Sequence, residues 1–326
     1  MYKLKKIQNV HVELTSKCQA RCPMCPRRIN GGPINPLFDP TEISLPVFKE
    51  WFSREFIKQL NSILLCGNLG DPIIAQDCLE IIQYLREIHP LIKISMHTNG
   101  SARSESWWRE LAKTNVKVTF GIDGDFDTHG LYRIGTDYSK IIENAKSFID
   151  AGGNAEWHML VFKHNEHQIE SCRTKSEELG FKKFTIKHTT RFVDGKFNVL
   201  DDSGKTVNIL YPTDQSVFMS SLVQENASCN TIDCKALKHN QLYISATGSV
   251  SPCCWLDLTW QLAKHPNRID YMDQIGEFPN LHITTLDDIF ESNYFNKIES
   301  TWSKTPLMEC SKQCGKFDKM GGQFVN

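Results

Sequence analysis

The sequence predicts an α/β protein with a mostly parallel sheet, followed by a smaller α+β unit. Two observations carry the first part. Up to about residue 188, six short strand-like runs alternate with helix-like runs, the pattern of repeated βαβ units. Right-handed crossovers then curl such a sheet into a barrel or part of one. A third observation carries the second part: from Cys229 the alternation gives way to a cysteine-rich stretch with a hairpin and a late helix.

Taken in order, Val10 to Leu14 is the first strand, and residues 27–43 are a loop rich in Gly, Pro and Asn. Leu45 to Leu60 reads as one amphipathic helix with Pro46 at its start. Ser62 to Cys66 is a short buried strand, and Gln76 to Ile88 a helix with Leu79, Ile82 and Leu85 on one side. Ile92 to Met96 alternates as a strand, closed by Thr98-Asn99-Gly100. Ser104 to Thr114 is a helix and Val116 to Phe120 a strand. Tyr138 to Ala151 is a helix, Ala155 to Val161 a strand, Gln168 to Leu179 a helix and Phe184 to Lys187 the sixth strand.

Residues 191–228 break the rhythm. Val193-Asp194-Gly195-Lys196 and Asp202-Ser203-Gly204-Lys205 are turn signals between short apolar runs. They predict a linker with one or two hairpins, placed to cover the barrel mouth. Further on, Leu242 to Ser245 and Ser249 to Ser251 flank Ala246-Thr247-Gly248 as another hairpin, and Leu286 to Ile298 reads as one helix. The domains expected are therefore 1–190, a linker 191–228, and 229–326.

In such a barrel, function collects in the loops at the carboxyl ends of the strands. The loop after the first strand holds Cys18, Cys22 and Cys25. Three thiolates at this spacing can wrap one compact metal centre, holding three irons of a cubane cluster and leaving the fourth open. A structural zinc loop is the alternative, and it needs a fourth ligand. Gly67 to Pro72, His97 to Gly100 and Asp123-Gly124 fall at the same end.

Composition narrows the rest. The formal net charge of −1 argues against a nucleic-acid footprint or an anionic-membrane surface. Neither a signal peptide nor a transmembrane run is evident, so a cytoplasmic protein is expected. Nine of the twelve cysteines lie towards the two ends, and in a reducing compartment these read as metal ligands. Cys66, Cys78 and Cys172 read as small buried hydrophobes.

Cys18-x3-Cys22-x-Met24-Cys25, directly after a first strand, resembles the cluster motif of radical S-adenosylmethionine (SAM) enzymes, with Met24 standing at the family's aromatic position. The resemblance implies a partial (β/α)6 TIM-like barrel and a 4Fe–4S cluster whose open iron chelates SAM. Reductive cleavage of SAM then gives a 5′-deoxyadenosyl radical that abstracts hydrogen from substrate. It assigns SAM contacts to Met24 through its backbone and to Gly70 and Asp71 of a Gly-Gly-Glu-Pro-like turn, here Leu69-Gly70-Asp71-Pro72. Ser95, His97 and Asn99 fall near the ribose, and Arg133 near the SAM carboxylate.

Cys234, thirteen residues, Gly248, four residues, Cys253 resembles the auxiliary-cluster motif of SPASM and twitch domains. With only Cys310 and Cys314 downstream, the shorter twitch form with one auxiliary 4Fe–4S cluster is implied, held by Cys234, Cys253, Cys310 and Cys314. Cys229 and Cys254 are spare, Cys229 being able to replace one of the four. Adjacent residues of a strand face opposite ways, which parts Cys253 from Cys254. Four cysteines also make a structural zinc set.

The function expected is an oxidoreductase-type radical SAM enzyme that oxidises or cross-links a peptide side chain, drawing electrons from a flavodoxin- or ferredoxin-type reductant. An alternative is a radical SAM dehydrogenase or rearrangement enzyme acting on a sugar-like or nucleoside-like small molecule. An alternative of another class is a non-catalytic iron–sulfur or zinc sensor or scaffold.

Overall fold

The computed structural model describes residues 2–192, 194–226, 231–261 and 266–315. Cys229 and Val193, named above, lie outside them. The six expected strands form: β1 (Asn9–Val12), β2 (Ser62–Leu65), β3 (Lys93–Thr98), β4 (Lys117–Gly121), β5 (Asn154–Val161) and β6 (Lys183–His188). They pair in parallel, in chain order. This is the sheet of a partial barrel. Each strand is pleated, so alternate residues face the helices and the lumen. Ile94 and Met96 of β3 are buried, whereas Ser95 and His97 between them are only partly so.

Behind the sheet, Trp108 packs on Phe120 and Phe148 with ring centroids 5.2 Å and 6.1 Å away. Trp108 lies in the helix Glu105–Ala112, where Ser104 accepts a hydrogen bond from the Trp107 backbone N–H and so caps the helix start.

Two helices expected to be continuous are each broken in two by a serine. The first gives Leu45–Trp51 and Arg54–Gln59, because the Ser53 side chain accepts from Phe56 N–H and starts a new helix after an extended Phe52. The second gives Leu286–Glu291 and Tyr294–Thr301; Ser292 is extended, and its hydroxyl takes the Tyr294 N–H while donating to the Ile289 carbonyl. Serine competes with the helix for backbone groups, and here that competition wins.

The expected linker holds one hairpin, β7 (Phe197–Leu200) with β8 (Thr206–Leu210), turning at Asp201 to Lys205. It also holds a helix, Asp214–Asn226, that the sequence analysis missed. Its buried positions include Ser216 and Ser220, so no apolar stripe marks it. The helices Cys254–Gln261 and Pro266–Ile275 were missed as well.

The late hairpin forms as β9 (Gln241–Ile244) and β10 (Val250–Ser251). What the sequence did not indicate is its place. β9 pairs in parallel with β1, so the C-terminal segment extends the barrel sheet to the order β10-β9-β1-β2-β3-β4-β5-β6. Among the described residues no helix is long and apolar enough to cross a membrane.

Three histidines face the lumen side of the sheet. His11 donates from Nε2 to the Cys66 carbonyl and meets the Tyr243 ring edge-on at 4.8 Å. His97 and His158 lie 5.7 Å apart. Burial holds all three down to about 4 from an ordinary 6.5; the bond to Cys66 opposes this at His11, and nearby lysines add to it at His97 and His158. A histidine lowered on folding binds its proton more readily in the unfolded chain, so stability is lost as pH falls between about 6.5 and 4. Urea midpoints should therefore drop across that window, and His11→Gln should flatten the drop. An unchanged slope in the variant would show that His11 does not contribute.

Candidate active site and second cysteine site

The loop after β1 carries Cys18, Cys22 and Cys25 to the carboxyl end of the sheet. There the three cysteines share a cavity of about 160 Å³ with Arg27, Gly70, Asp71, Asn99, Tyr132, Arg133 and Arg191. Two cations fix the loop. Arg27 is buried and donates to the carbonyls of Cys18 and Ala20. Arg191, just after β6, donates to the Met24 carbonyl over 2.8 Å. The same loop docks on the hairpin through Met24, Tyr132, Phe162, Phe192, Val199 and Leu210, a small apolar cluster apart from the main core. Asp202 of the hairpin turn pairs with Arg21 and Arg28, both at 2.9 Å. The hairpin therefore straps down the cysteine loop.

Burial pushes the Cys18 thiol up to about 12, the neighbouring Asp71 adding to this and Arg27 opposing it. Cys22 is raised for the same first reason, with Arg133 opposing. These thiols hold their protons until a metal displaces them.

The turn after β2 is set against this loop by a buried carboxylate. Glu13 is fully buried. Its Oε1 accepts from the backbone N–H groups of Leu69 at 2.7 Å and Gly70 at 3.0 Å. Its Oε2 accepts from the Tyr243 hydroxyl at 3.0 Å. Gly70 is required: a Cβ there would lie 1.6 Å from the Thr15 carbonyl oxygen.

Asp71 and Asn99 do come together. Asp71 Oδ2 accepts from the Asn99 backbone N–H at 2.7 Å and side-chain amide at 2.6 Å, while Oδ1 accepts from Ile73 N–H at 3.2 Å. The Asn99 amide in turn lies 3.5 Å from Cys18 Sγ. The Asp71 carboxylate is thus engaged within the protein, holding Asn99 against the first cysteine. Arg133 donates to the fully buried Asp123 at 2.5 Å. It passes over Gly121, where a Cβ would sit 2.7 Å from its Nη2.

Ser95 and His97 are not in this cavity. Ser95 lines another, at the amino ends of the strands, with Ser62, Lys93, Lys117 and Asn154. Along an extended strand it is about 13 Å from Asn99. His97 faces His158 in the lumen. Sequence reasoning missed Arg27, Arg191, Glu13 and Tyr243. Only Glu13 carried a signal, a charge at the end of an apolar strand.

At the second site, Cys310 and Cys314 lie one turn apart in the helix Met308–Cys314, on one face. Cys234 caps the short helix Lys235–Lys238. Cys253 stands before the helix Cys254–Gln261; the expectation of a strand there is corrected, since β10 ends at Ser251. Cys253 feels Cys254 first and then Cys314, whereas Cys254 lies towards Cys66, Asp257 and Glu13. Cys66 is only half-buried, at the carboxyl end of β2, unlike the buried Cys78 and Cys172. A hydrogen bond between Cys234 and Cys314 pushes the first thiol up and draws the second down.

Among the described residues no three His, Cys, Asp or Glu side chains converge closely enough to hold a single metal ion.

A family model for the radical SAM superfamily matches residues 12–173, and one for an iron–sulfur cluster-binding domain, SPASM, matches residues 234–315. Among solved structures, Streptococcus suis SuiB bound to S-adenosylmethionine is 15% identical with a TM-score of 0.57, covering 94% of this chain and 67% of its own. The same protein bound to its precursor peptide SuiA gives 15%, 0.53, 94% and 66%. Native anSMEcpe with bound AdoMet is 17% identical with a TM-score of 0.58, covering 94% and 89%. The chain therefore spans about two thirds of the SuiB length. At these identities the likeness concerns the fold.

The Glu13 network yields a test. Tyr243→Phe removes one donor to a buried carboxylate, a loss of about 1.5–3 kcal/mol. The melting temperature should fall by several degrees, and the turn at Leu69 and Gly70 should exchange amide protons faster. Unchanged exchange at these two amides would mean that Tyr243 does not hold the turn.

Proposed function

Since the chain belongs to the radical SAM superfamily and carries a C-terminal SPASM-type iron–sulfur domain, we propose that it cleaves SAM reductively in the barrel and oxidises or cross-links a peptide side chain. When bound, the cluster and SAM supply a one-electron cleavage whose 5′-deoxyadenosyl radical takes hydrogen from substrate. The observation that carries the site assignment is the shared cavity of Cys18, Cys22 and Cys25 with the Gly70 turn, Asn99 and Arg133.

In this reading the three thiolates hold the SAM-binding cluster, and Arg27 fixes their loop. Gly70 lets the backbone of its turn lie close beside that loop. Asp71 is a positioning residue that holds Asn99. Arg133, its guanidinium paired with Asp123, would hold the SAM carboxylate, and the Met24 backbone, fixed by Arg191, would hold the adenine. Ser95 is withdrawn from the ribose role by its distance. Cys234, Cys253, Cys310 and Cys314 would hold one auxiliary cluster, which would supply an electron acceptor for substrate oxidation. A flavodoxin- or ferredoxin-type protein supplies the reducing electron. Residues 1–190 form the catalytic core, 191–228 the strap and 229–326 the auxiliary domain.

The peptide substrate is supported by the fold shared with SuiB, a protein seen with its precursor peptide. Substrate trials should begin with peptides carrying unmodified side chains, read by mass loss. Turnover of sugars or nucleosides but of no peptide would move the assignment to small molecules.

Anaerobically reconstituted protein given dithionite and SAM should release 5′-deoxyadenosine. Cys18→Ala, Cys22→Ala and Cys25→Ala should each abolish release; undiminished release from any one would remove that thiol from the mechanism. Cys310→Ala with Cys314→Ala should keep uncoupled cleavage, since the barrel thiols are untouched.

Asp71→Ala frees both Asn99 groups. SAM affinity should fall roughly ten- to a hundredfold, the equivalent of one charge-assisted hydrogen bond, with iron content near wild type. Equilibrium binding that matches wild type would confine Asp71 to shaping its turn.

A further inference from the structure

Polar groups buried in a folded protein nearly always find partners. Among the described residues, seven side-chain nitrogen or oxygen atoms are buried without one. Three of the seven, the Tyr2 hydroxyl, the Tyr294 hydroxyl and the Trp302 indole nitrogen, surround the second cysteine site. The Tyr2 hydroxyl faces the Cys234 thiol and is also coupled to Cys253. The Trp302 nitrogen faces the Cys310 thiol. The Tyr294 hydroxyl is buried near Asp257 first and then near Cys253 and Cys310. The three reach the site from both ends of the chain, Tyr2 preceding β1.

Aromatic packing holds the two phenols. The Tyr2 ring stacks on Phe295 with centroids 4.6 Å apart, and Tyr294 meets Phe295 at 5.0 Å and Phe278 at 5.7 Å. The Tyr2 backbone N–H is tied to Glu299 at 3.2 Å. These rings are not free to turn their polar ends elsewhere.

An uncharged thiol is a weak acceptor, so three donors aimed at thiols are poorly matched in the protein alone. Thiolates and inorganic sulfides are anionic, and donors to them make charge-assisted hydrogen bonds. The arrangement is suited to an anionic sulfur cluster and leaves these donors poorly matched without one.

We propose that Tyr2, Tyr294 and Trp302 donate hydrogen bonds to the sulfurs of the C-terminal cluster and so raise its reduction potential. Such donors stabilise the more negative, reduced state, and hydrogen bonding to sulfur is one of the levers that set cluster potentials. They therefore make the cluster a better electron acceptor, tuning it without supplying ligands. The inference rests on the assignment of Cys234, Cys253, Cys310 and Cys314 as its ligands.

The test uses the full chain, reconstituted anaerobically with iron and sulfide, with Cys18, Cys22 and Cys25 replaced by alanine so that only the C-terminal cluster reports. Its potential is read by redox titration followed by electron paramagnetic resonance. Tyr294→Phe and Trp302→Phe should each shift the reduction equilibrium about tenfold towards the oxidised state, which is about 59 mV for one electron. Potentials equal to the parent in both iron-loaded variants would overturn the proposal. Where a variant does not load, the parent decides: transfer to D2O should remove strong exchangeable-proton couplings from the reduced cluster's electron–nuclear double resonance. A spectrum with no such couplings also overturns it. Zinc in place of iron at this site would instead strike at the ligand assignment beneath it.

Discussion

The buried carboxylate of Glu13 ties three parts of the molecule together. It stands at the end of β1 and receives two backbone amides from the turn after β2 and a hydroxyl from β9. A buried charge is tolerable only when donors surround it, so each partner is constrained by the others. Tyr243 is further fixed by Asn68, whose amide donates to its hydroxyl and to the Cys254 carbonyl. The turn beside the cysteine loop is therefore held from the C-terminal part of the chain as well as from its own strand. This explains why the late segment is built onto the barrel edge instead of standing as a separate body.

The first cysteine site sets burial against positive charge. Burial favours protonated thiols, while Arg27 and Arg133 favour thiolates. Arg133 keeps its charge through the buried Asp123, which also accepts from Leu160 N–H at 2.7 Å. Metal loading converts thiols into thiolates and releases protons, and the two guanidiniums offset part of the resulting negative charge. The strap closes this site from above: two arginines of the cysteine loop reach Asp202, and Arg191 reaches back to Met24. Loop and strap are thus docked by apolar contact on one side and ion pairs on the other.

The second site differs in kind. Its thiols come from three separate stretches of chain, and aromatic side chains pack near them. The first site takes three thiols from one loop and leaves a cavity for a further ligand.

The sequence alone determined the alternation of strands and helices, the parallel sheet and the grouping of Cys18, Cys22 and Cys25. These are local: period, loop composition and short spacing are written in neighbouring residues. It also determined the late hairpin, because Gly248 marks its turn. Tertiary structure decided the rest. Nothing near Tyr243 indicates that β9 lies beside β1, since a parallel edge pairing between residues more than two hundred positions apart leaves no local mark. The partner of Asp71 across the fold, Asn99, also comes from contacts that its own turn does not show. The helix Asp214–Asn226 was hidden because serines fill its buried face. Tyr2, Tyr294 and Trp302 read as ordinary aromatics in sequence, and only folding buries their polar atoms near the C-terminal cysteines.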